Sequence, residues 1–347
     1  MSEPLSLGLD TFGDVTTGAD GKLLPHDHVL RNLVEEGVLA DQVGIDFLGV
    51  GEHHRDDFAV SAPEIVMAAI AARTRRLRLG TAVTVLSSDD PIRLFERFST
   101  LNAIADGRAE VILGRGSFTE SFPLFGFDLK DYEVLFEEKL DLFLRLVREE
   151  EVTWSGKTRT PLRNQRVFPR LGSGGLQVSI GVGGSPESVV RAVHFDVPMM
   201  LAIIGGDPRR FLPYVDLYKR ACAQLGKPVR PLGVHSPGHV AQTDAEAQEQ
   251  LWPHYRAMHD RIGGERGWPP TTKENFLNEV RHGSLYVGAP ETVARKIANT
   301  VRTLGLGRFD MKYSNGPLPQ GQMMESIRLY GEQVMPLVRD MLGRAAA

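Results

Sequence analysis

Three groups of residues in this chain have types and spacing suited to chemistry. The first is Gly183-Gly184-Ser185, a glycine pair running into a helix that starts at Pro186. Glycine lets the backbone approach an anion closely, and a helix N-terminus offers unpaired N–H groups with a partial positive charge. The run suits a phosphate, and equally a plain tight turn with a serine cap. The second is Arg115, set between Gly114 and Gly116. Its guanidinium can donate a bidentate pair of bonds to a phosphate or form a structural ion pair. Both features in one site favour a phosphate-bearing ligand. The third is Glu52-His53-His54. Neighbouring residues at a strand end point in diverging directions, and no His-Glu-x-x-His spacing accompanies them, so no metal is expected. A hydrogen-bonded structural pair and an acid–base or ligand-contacting role both stay open for these histidines. Ser117 and Ser185 lack a Gly-x-Ser-x-Gly setting and are no nucleophile elbows.

Eight short apolar runs can position these groups: residues 5–10, 46–51, 77–83, 108–113, 176–182, 198–203, 232–240 and 308–313. Helical patterns lie between them, near 27–43, 62–73, 92–105, 131–149, 186–194, 208–225, 290–303 and 321–343. Strands alternating with helices indicate a parallel sheet. Eight such units at this length fit one (β/α)8 TIM barrel over residues 1–347, with an open doubly wound sheet as the rival architecture. Two insertions stand out. Residues 151–175, after the fourth helix, are rich in Arg, Gly and Pro and suggest a loop. Residues 243–285, after strand seven, contain a helical piece over 245–261 and then Gly263-Gly264 and Trp268-Pro269-Pro270, the form of a lid. A barrel carries its active site where the C-terminal ends of the strands open. All three groups fall at such ends, together with Asp10 and His235. Phe12, Phe58, Phe118, Phe122 and Phe125 cluster near the same loops and suit a planar ring or an apolar substrate.

The composition narrows the classes. A net charge of −4 argues against a nucleic-acid partner, and no apolar run reaches the ~20 residues that span a bilayer. Cys222 is the single cysteine, which rules out a disulfide framework. The start Met1-Ser2-Glu3-Pro4 lacks the pattern of a signal peptide, so a cytoplasmic location is expected. The Ala345-Ala346-Ala347 tail is expected to be disordered.

The order of several motifs resembles the bacterial luciferase-like flavin-dependent monooxygenases along nearly the whole chain. They are Leu7-Gly8-Leu9, Gly51-Glu52-His53-His54, the run Gly80 to Leu86 with Asp90-Pro91, Asp106-Gly107-Arg108 leading to Gly114-Arg115-Gly116, Val182-Gly183-Gly184-Ser185-Pro186-Glu187-Ser188, and Val334-Met335-Pro336. The resemblance implies that reduced FMN, delivered by a separate reductase, and O2 oxygenate an apolar organic substrate. It implies His53 as the catalytic base or stabiliser of a flavin adduct. Arg115 with Gly183, Gly184 and Ser185 would hold the flavin phosphate. Ala82 and Val83 would pass beside the flavin ring, often through a strained peptide bond. Residues 243–285 would form the lid, and helices near 62–73 and 92–105 a homodimer interface. Gly114 replaces the cysteine of light-emitting members, so luminescence is not implied. A deazaflavin-dependent dehydrogenase and a non-catalytic flavin-binding protein are the alternatives.

Overall fold

The computed structural model describes residues 4–116 and 118–343. Ser117, the Met1-Ser2-Glu3 start and the Ala345-Ala346-Ala347 tail lie outside the described residues. Eight parallel strands form a ring: Ser6–Thr11, Phe47–Val50, Arg78–Thr81, Glu110–Gly114, Gln177–Val182, Met199–Ala202, Leu232–Val240 and Leu306–Lys312, numbered one to eight in chain order. Strand one pairs with two and eight, two with three, and four through eight pair in succession. Between strands three and four the ladder is interrupted. After Thr81 the chain passes through Ala82-Val83, joined by a cis peptide bond, and resumes as Thr84–Val85 beside Leu113 and Gly114. Leu79 bridges Ala109 below the break, and the Thr81 hydroxyl donates to the Ile112 carbonyl at 3.1 Å. The ring is thereby closed as the anticipated (β/α)8 TIM barrel.

Local signals start the surrounding helices. Pro91–Ile104 and Pro186–His194 each begin on proline, whose missing N–H costs nothing there. Asp90 and Ser185 cap them, Asp90 accepting from the backbone N–H groups of Ile92 and Arg93 and Ser185 from that of Ser188. No helix among the described residues is long and apolar enough to cross a membrane.

Both insertions differ in detail from the expectation. The segment after the fourth helix is not all loop. Val152–Trp154 and Leu162–Gln165 form an antiparallel hairpin, anchored by Trp154, whose indole N–H donates to Asp141 at 2.8 Å. Strands this short carry too little alternation to be legible. In the second insertion the helix runs through Gly263-Gly264 to span Asp244–Arg266, with Gly267 as its left-handed terminus. Gly263 is buried beneath Trp268, so that glycine serves packing rather than a stop. Lys273–His282 follows as a second helix.

Strand alternation sorts each strand into an outer and an inner face. On strand one, Leu7 and Leu9 join the core under the helices, whereas Gly8 and Asp10 face the barrel interior. The lower interior is charged. Arg308 pairs with Glu110 and with Asp310 (2.8 Å), and its guanidinium lies 3.6 Å from the centre of the Phe47 ring. Arg78 also reaches Glu110, at 3.1 Å. Above them, Phe47, Ile112 and Met200 make an apolar plug against Val83. Asp10 lies over Gly49, where an added Cβ would overlap the Asp10 carboxylate and come within 2.9 Å of Ala82. Gly49→Ala is therefore expected to destabilise the protein by about 1–3 kcal/mol through overpacking. Urea unfolding checks this, and an unchanged midpoint would show that Asp10 has room to move.

Candidate active site

The C-terminal ends of the strands surround a cavity of about 450 Å³. Its wall includes His53, Ala82, Val83, Arg115 and Gly183, five of the residues singled out in the sequence. Gly184 and Ser185, which follow Gly183 in the chain, do not line it. Gly184 holds φ at 107°, a left-handed backbone that favours glycine, and Ser185 is the helix cap.

One end of the cavity gathers groups that suit an anion. At Gly183 a Cβ would meet nothing within 4 Å, so the backbone there is open to a ligand. Ser188, one turn into the helix, lines the wall, and its hydroxyl is 2.9 Å from that of Ser185 and 3.4 Å from the Arg115 guanidinium. Arg115 also pairs with Glu133 and lies 5.2 Å from the Tyr132 ring centre. Glu133 is shared with Arg191, at 2.9 Å, so it keeps a cation when an anion engages Arg115. Ser188 was not singled out by itself in the sequence, although the helix period places it one turn past the capping serine.

Strands three to six contribute an apolar shelf to the wall. The Ala82-Val83 segment faces the cavity with Ile112, Gly181 and Met200. A side chain at Gly114 would collide with Val83, so glycine at that position on strand four lets the shelf fill the space.

The opposite end carries the histidines. His53 is enclosed by Phe12, Phe58 and Phe118, with ring centres 4.8, 4.3 and 5.3 Å away. Burial pushes its imidazolium down to about 3, helped by the Lys312 and Arg55 cations, so the ring is neutral at physiological pH. Its Nδ1 is buried without a hydrogen-bond partner. Glu52 and His54 line the cavity as well, but they pair with each other at 3.0 Å, and Glu52 accepts the Val85 backbone N–H at 2.9 Å. The three residues thus divide into an unpaired histidine and a hydrogen-bonded pair that clamps the resumed third strand. No group of three metal-ligating side chains occurs among the described residues. His235 also lines this end, with Nδ1 2.6 Å from Asp10. His239, by contrast, is buried and 2.8 Å from Gln250 of the long helix in the second insertion.

That helix is tied to the mouth. Arg55 binds Glu265 at 2.6 Å and Asp57 at 2.8 Å, and Arg261 reaches Asp56 and Asp57. Phe118 is flanked by the Arg55 and Arg266 guanidinium groups, 4.7 and 4.8 Å from its ring centre. Of the other phenylalanines, Phe122 stacks on Tyr132 and Phe125 meets His54.

Comparison with known proteins bears on the family and the fold. Residues 10–307 match the family model for luciferase-like monooxygenases. The chain is 24% identical to an uncharacterized protein of Sinorhizobium fredii over 335 residues, 92% of this chain and 94% of that one. It is 24% identical over 226 residues to the alkanal monooxygenase alpha chain of Photorhabdus luminescens, covering 64% of this chain and 60% of the relative. Among solved structures, the monooxygenase RslO1 from Streptomyces bottropensis superposes with a TM-score of 0.82 at 21% identity, over 96% of this chain and 99% of the other. The oxygenating constituent of 3,6-diketocamphane monooxygenase from Pseudomonas putida, solved with FMN, gives 0.77 at 18%, over 96% and 98%. The coenzyme F420 dependent tetrahydromethanopterin reductase from Methanopyrus kandleri gives 0.70 at 16%, over 96% and 99%. At these identities the structural likeness carries the fold.

The neutrality of His53 has a measurable consequence. Its folded value of about 3 lies below the ordinary 6.5, so the unfolded chain binds a proton that the folded chain refuses. The associated stability is full above pH 6.5 and is lost as pH falls toward 3. His53→Gln is expected to remove this part of the acid sensitivity, an effect of a few kcal/mol. The stability gap between wild type and variant should then shift across that range in denaturant titrations. A gap independent of pH would mean that His53 is free to ionise.

Proposed function

The chain belongs to the luciferase-like monooxygenase family, and from that premise we propose that it is an FMN-dependent monooxygenase fed with reduced flavin by a separate reductase. The carrying observation is one cavity that combines a group of anion donors, an apolar shelf and a neutral buried histidine. The residues fit the cofactor. Gly183, Gly184, Ser185, Ser188 and Arg115 would hold the phosphate, while Ala82 and Val83 would support the ring. Bound reduced FMN supplies the two electrons that let O2 place one oxygen atom on the substrate and release the other as water.

The chain's own groups do the rest. His53 is neutral when the ligand arrives, so one ring nitrogen donates a hydrogen bond and the other accepts one, and its low basicity suits hydrogen bonding to the ligand over proton uptake. The aromatic enclosure of Phe12, Phe58 and Phe118, beneath the helix held by Arg55 and Glu265, keeps water from the reacting end. The apolar wall supports an apolar substrate, and the half-exposed Ile204 at the mouth extends that surface. The sequence has no strand-linked Gly-x-Gly-x-x-Gly for a nicotinamide, which supports a separate reductase as electron source. A homodimer through Pro63–Ala71 and Pro91–Ile104 accords with Ile65 and Ile104, which those helices leave 73% and 54% exposed.

The coenzyme F420 enzyme of the same fold keeps a deazaflavin in view as the second reading. Tighter binding of a deazaflavin than of FMN would select it. Within the FMN reading the two ends of the cavity separate by mutation. Arg115→Ala should weaken FMN roughly tenfold to a hundredfold, the worth of a charge-assisted pair of bonds. Riboflavin, which lacks the phosphate, should be almost unaffected in the same flavin-fluorescence titration. Equal losses for both would move the phosphate elsewhere. His53→Ala should retain FMN and lose turnover; a variant that turns over normally takes His53 out of the mechanism.

A further inference from the structure

A second histidine shares the cavity with His53 in a different electrostatic setting. His235 leaves strand seven with its ring stacked on Phe12, the centres 5.6 Å apart and the planes 8° from parallel. Its Nδ1 is 2.6 Å from Oδ2 of Asp10, which is 1% exposed. The other Asp10 oxygen, Oδ1, is buried without a partner, in the space that Gly49 leaves open. A carboxylate on Nδ1 fixes that nitrogen as the donor and leaves the lone pair on Nε2. A proton taken up at Nε2 is then balanced by the charge on Asp10 through the ring. His53 has no such counter-ion. The groups that add to burial in lowering its basicity are the cations Lys312 and Arg55 and the histidine His54.

The placement adds a second argument. Phe12 stands between the two imidazoles, 4.8 Å from His53 and 5.6 Å from His235. The three rings rise from strands one, two and seven, whereas the anion-binding end rises from strands four and five, across the barrel. Both histidines therefore face the end of the cavity away from the phosphate. Other groups also bear on His235. Asp310 is its register partner on strand eight, with Lys312 two residues further on, and strand six contributes Ala202.

We propose that His235 is a second catalytic residue of this site, the one that carries the moving proton, with Asp10 as its positioning residue. The proposal rests on the flavin-monooxygenase reading above. The step is a proton transfer only. An N–H bond forms at Nε2 as an O–H or N–H bond of the bound partner breaks, and the reverse transfer delivers that proton to the reduced oxygen that leaves, as water when a substrate takes the other oxygen atom and as hydrogen peroxide when none is present. The imidazole exchanges no electrons, and Asp10 keeps its hydrogen bond to Nδ1.

The test needs one readout without cofactor and one with it. In the unliganded wild-type protein, proton NMR with 15N-labelled histidine should show a slowly exchanging, downfield imidazole N–H signal that disappears in both His235→Gln and Asp10→Asn. FMN affinity should be unchanged in His235→Gln and His235→Ala, because the phosphate end is intact. Reoxidation of bound reduced FMN by O2 should slow by about a hundredfold in both variants, within the range of general acid–base catalysis. Added imidazole should restore much of the rate in His235→Ala, a rescue that repaired folding cannot imitate. Reoxidation at the wild-type rate in His235→Ala, or a slow rate that imidazole leaves unchanged, would overturn the proposal. So would a wild-type spectrum lacking the N–H signal. A wild-type protein that holds no FMN would sink the flavin reading itself and this proposal with it, an outcome distinct from any variant result.

Discussion

A closed parallel barrel turns every second residue of each strand into a space from which water is excluded, and whatever stands there must be filled and neutralised. In this protein the Arg308 guanidinium meets that constraint. It pairs with Glu110 and Asp310 and stacks on Phe47 at the lower end of the barrel. Burial and the neighbouring carboxylates Asp10 and Glu110 push the Asp310 carboxyl well above the usual range, against the lowering effect of Arg308. The charges thus stay below the plug of Phe47, Ile112 and Met200. Above the plug, the mouth is free to be apolar in the middle and polar only at two ends.

That separation organises the candidate chemistry. Strands four and five supply an arginine, open backbone and a helix start. Strands one, two and seven supply two imidazoles in unequal surroundings. His53 has aromatic rings and cations around it, and Asp10 holds His235. Identical side chains are thereby given different surroundings: burial keeps His53 neutral, whereas the His235 ring is hydrogen-bonded to a carboxylate. The Ala82-Val83 segment separates the two ends, and it interrupts the ladder of strand three where the barrel would otherwise present plain strand.

Much of this is legible in the sequence because it is local. All eight barrel strands and the flanking helices follow from runs of apolar residues, with Asp90-Pro91 and Ser185-Pro186 marking helix starts. Gly183-Gly184-Ser185 and Arg115 stand out as a candidate phosphate pair because a glycine run at a helix start and an arginine between glycines are local patterns, although the same run also suits a plain capped turn. What stays hidden is what depends on distance or burial. Asp10 and His235 are 225 positions apart, and only closure of the barrel brings them together. The neutrality of His53 comes from the rings of Phe12, Phe58 and Phe118, so its residue type alone leaves acid, base and structural roles open. The Val152–Trp154 hairpin is too short to show a period. Gly263-Gly264 looks like a helix end until Trp268 is seen packed against it.

The central claim is that this cavity holds reduced flavin and shelters its reaction with oxygen. The most direct measurement is stopped-flow absorbance after the protein, loaded anaerobically with reduced FMN, is mixed with oxygenated buffer. The account predicts that the oxidised-flavin spectrum returns much later than it does for free reduced FMN, because the enclosed site controls the proton and water on which reoxidation depends. Return at the rate of free flavin would contradict it.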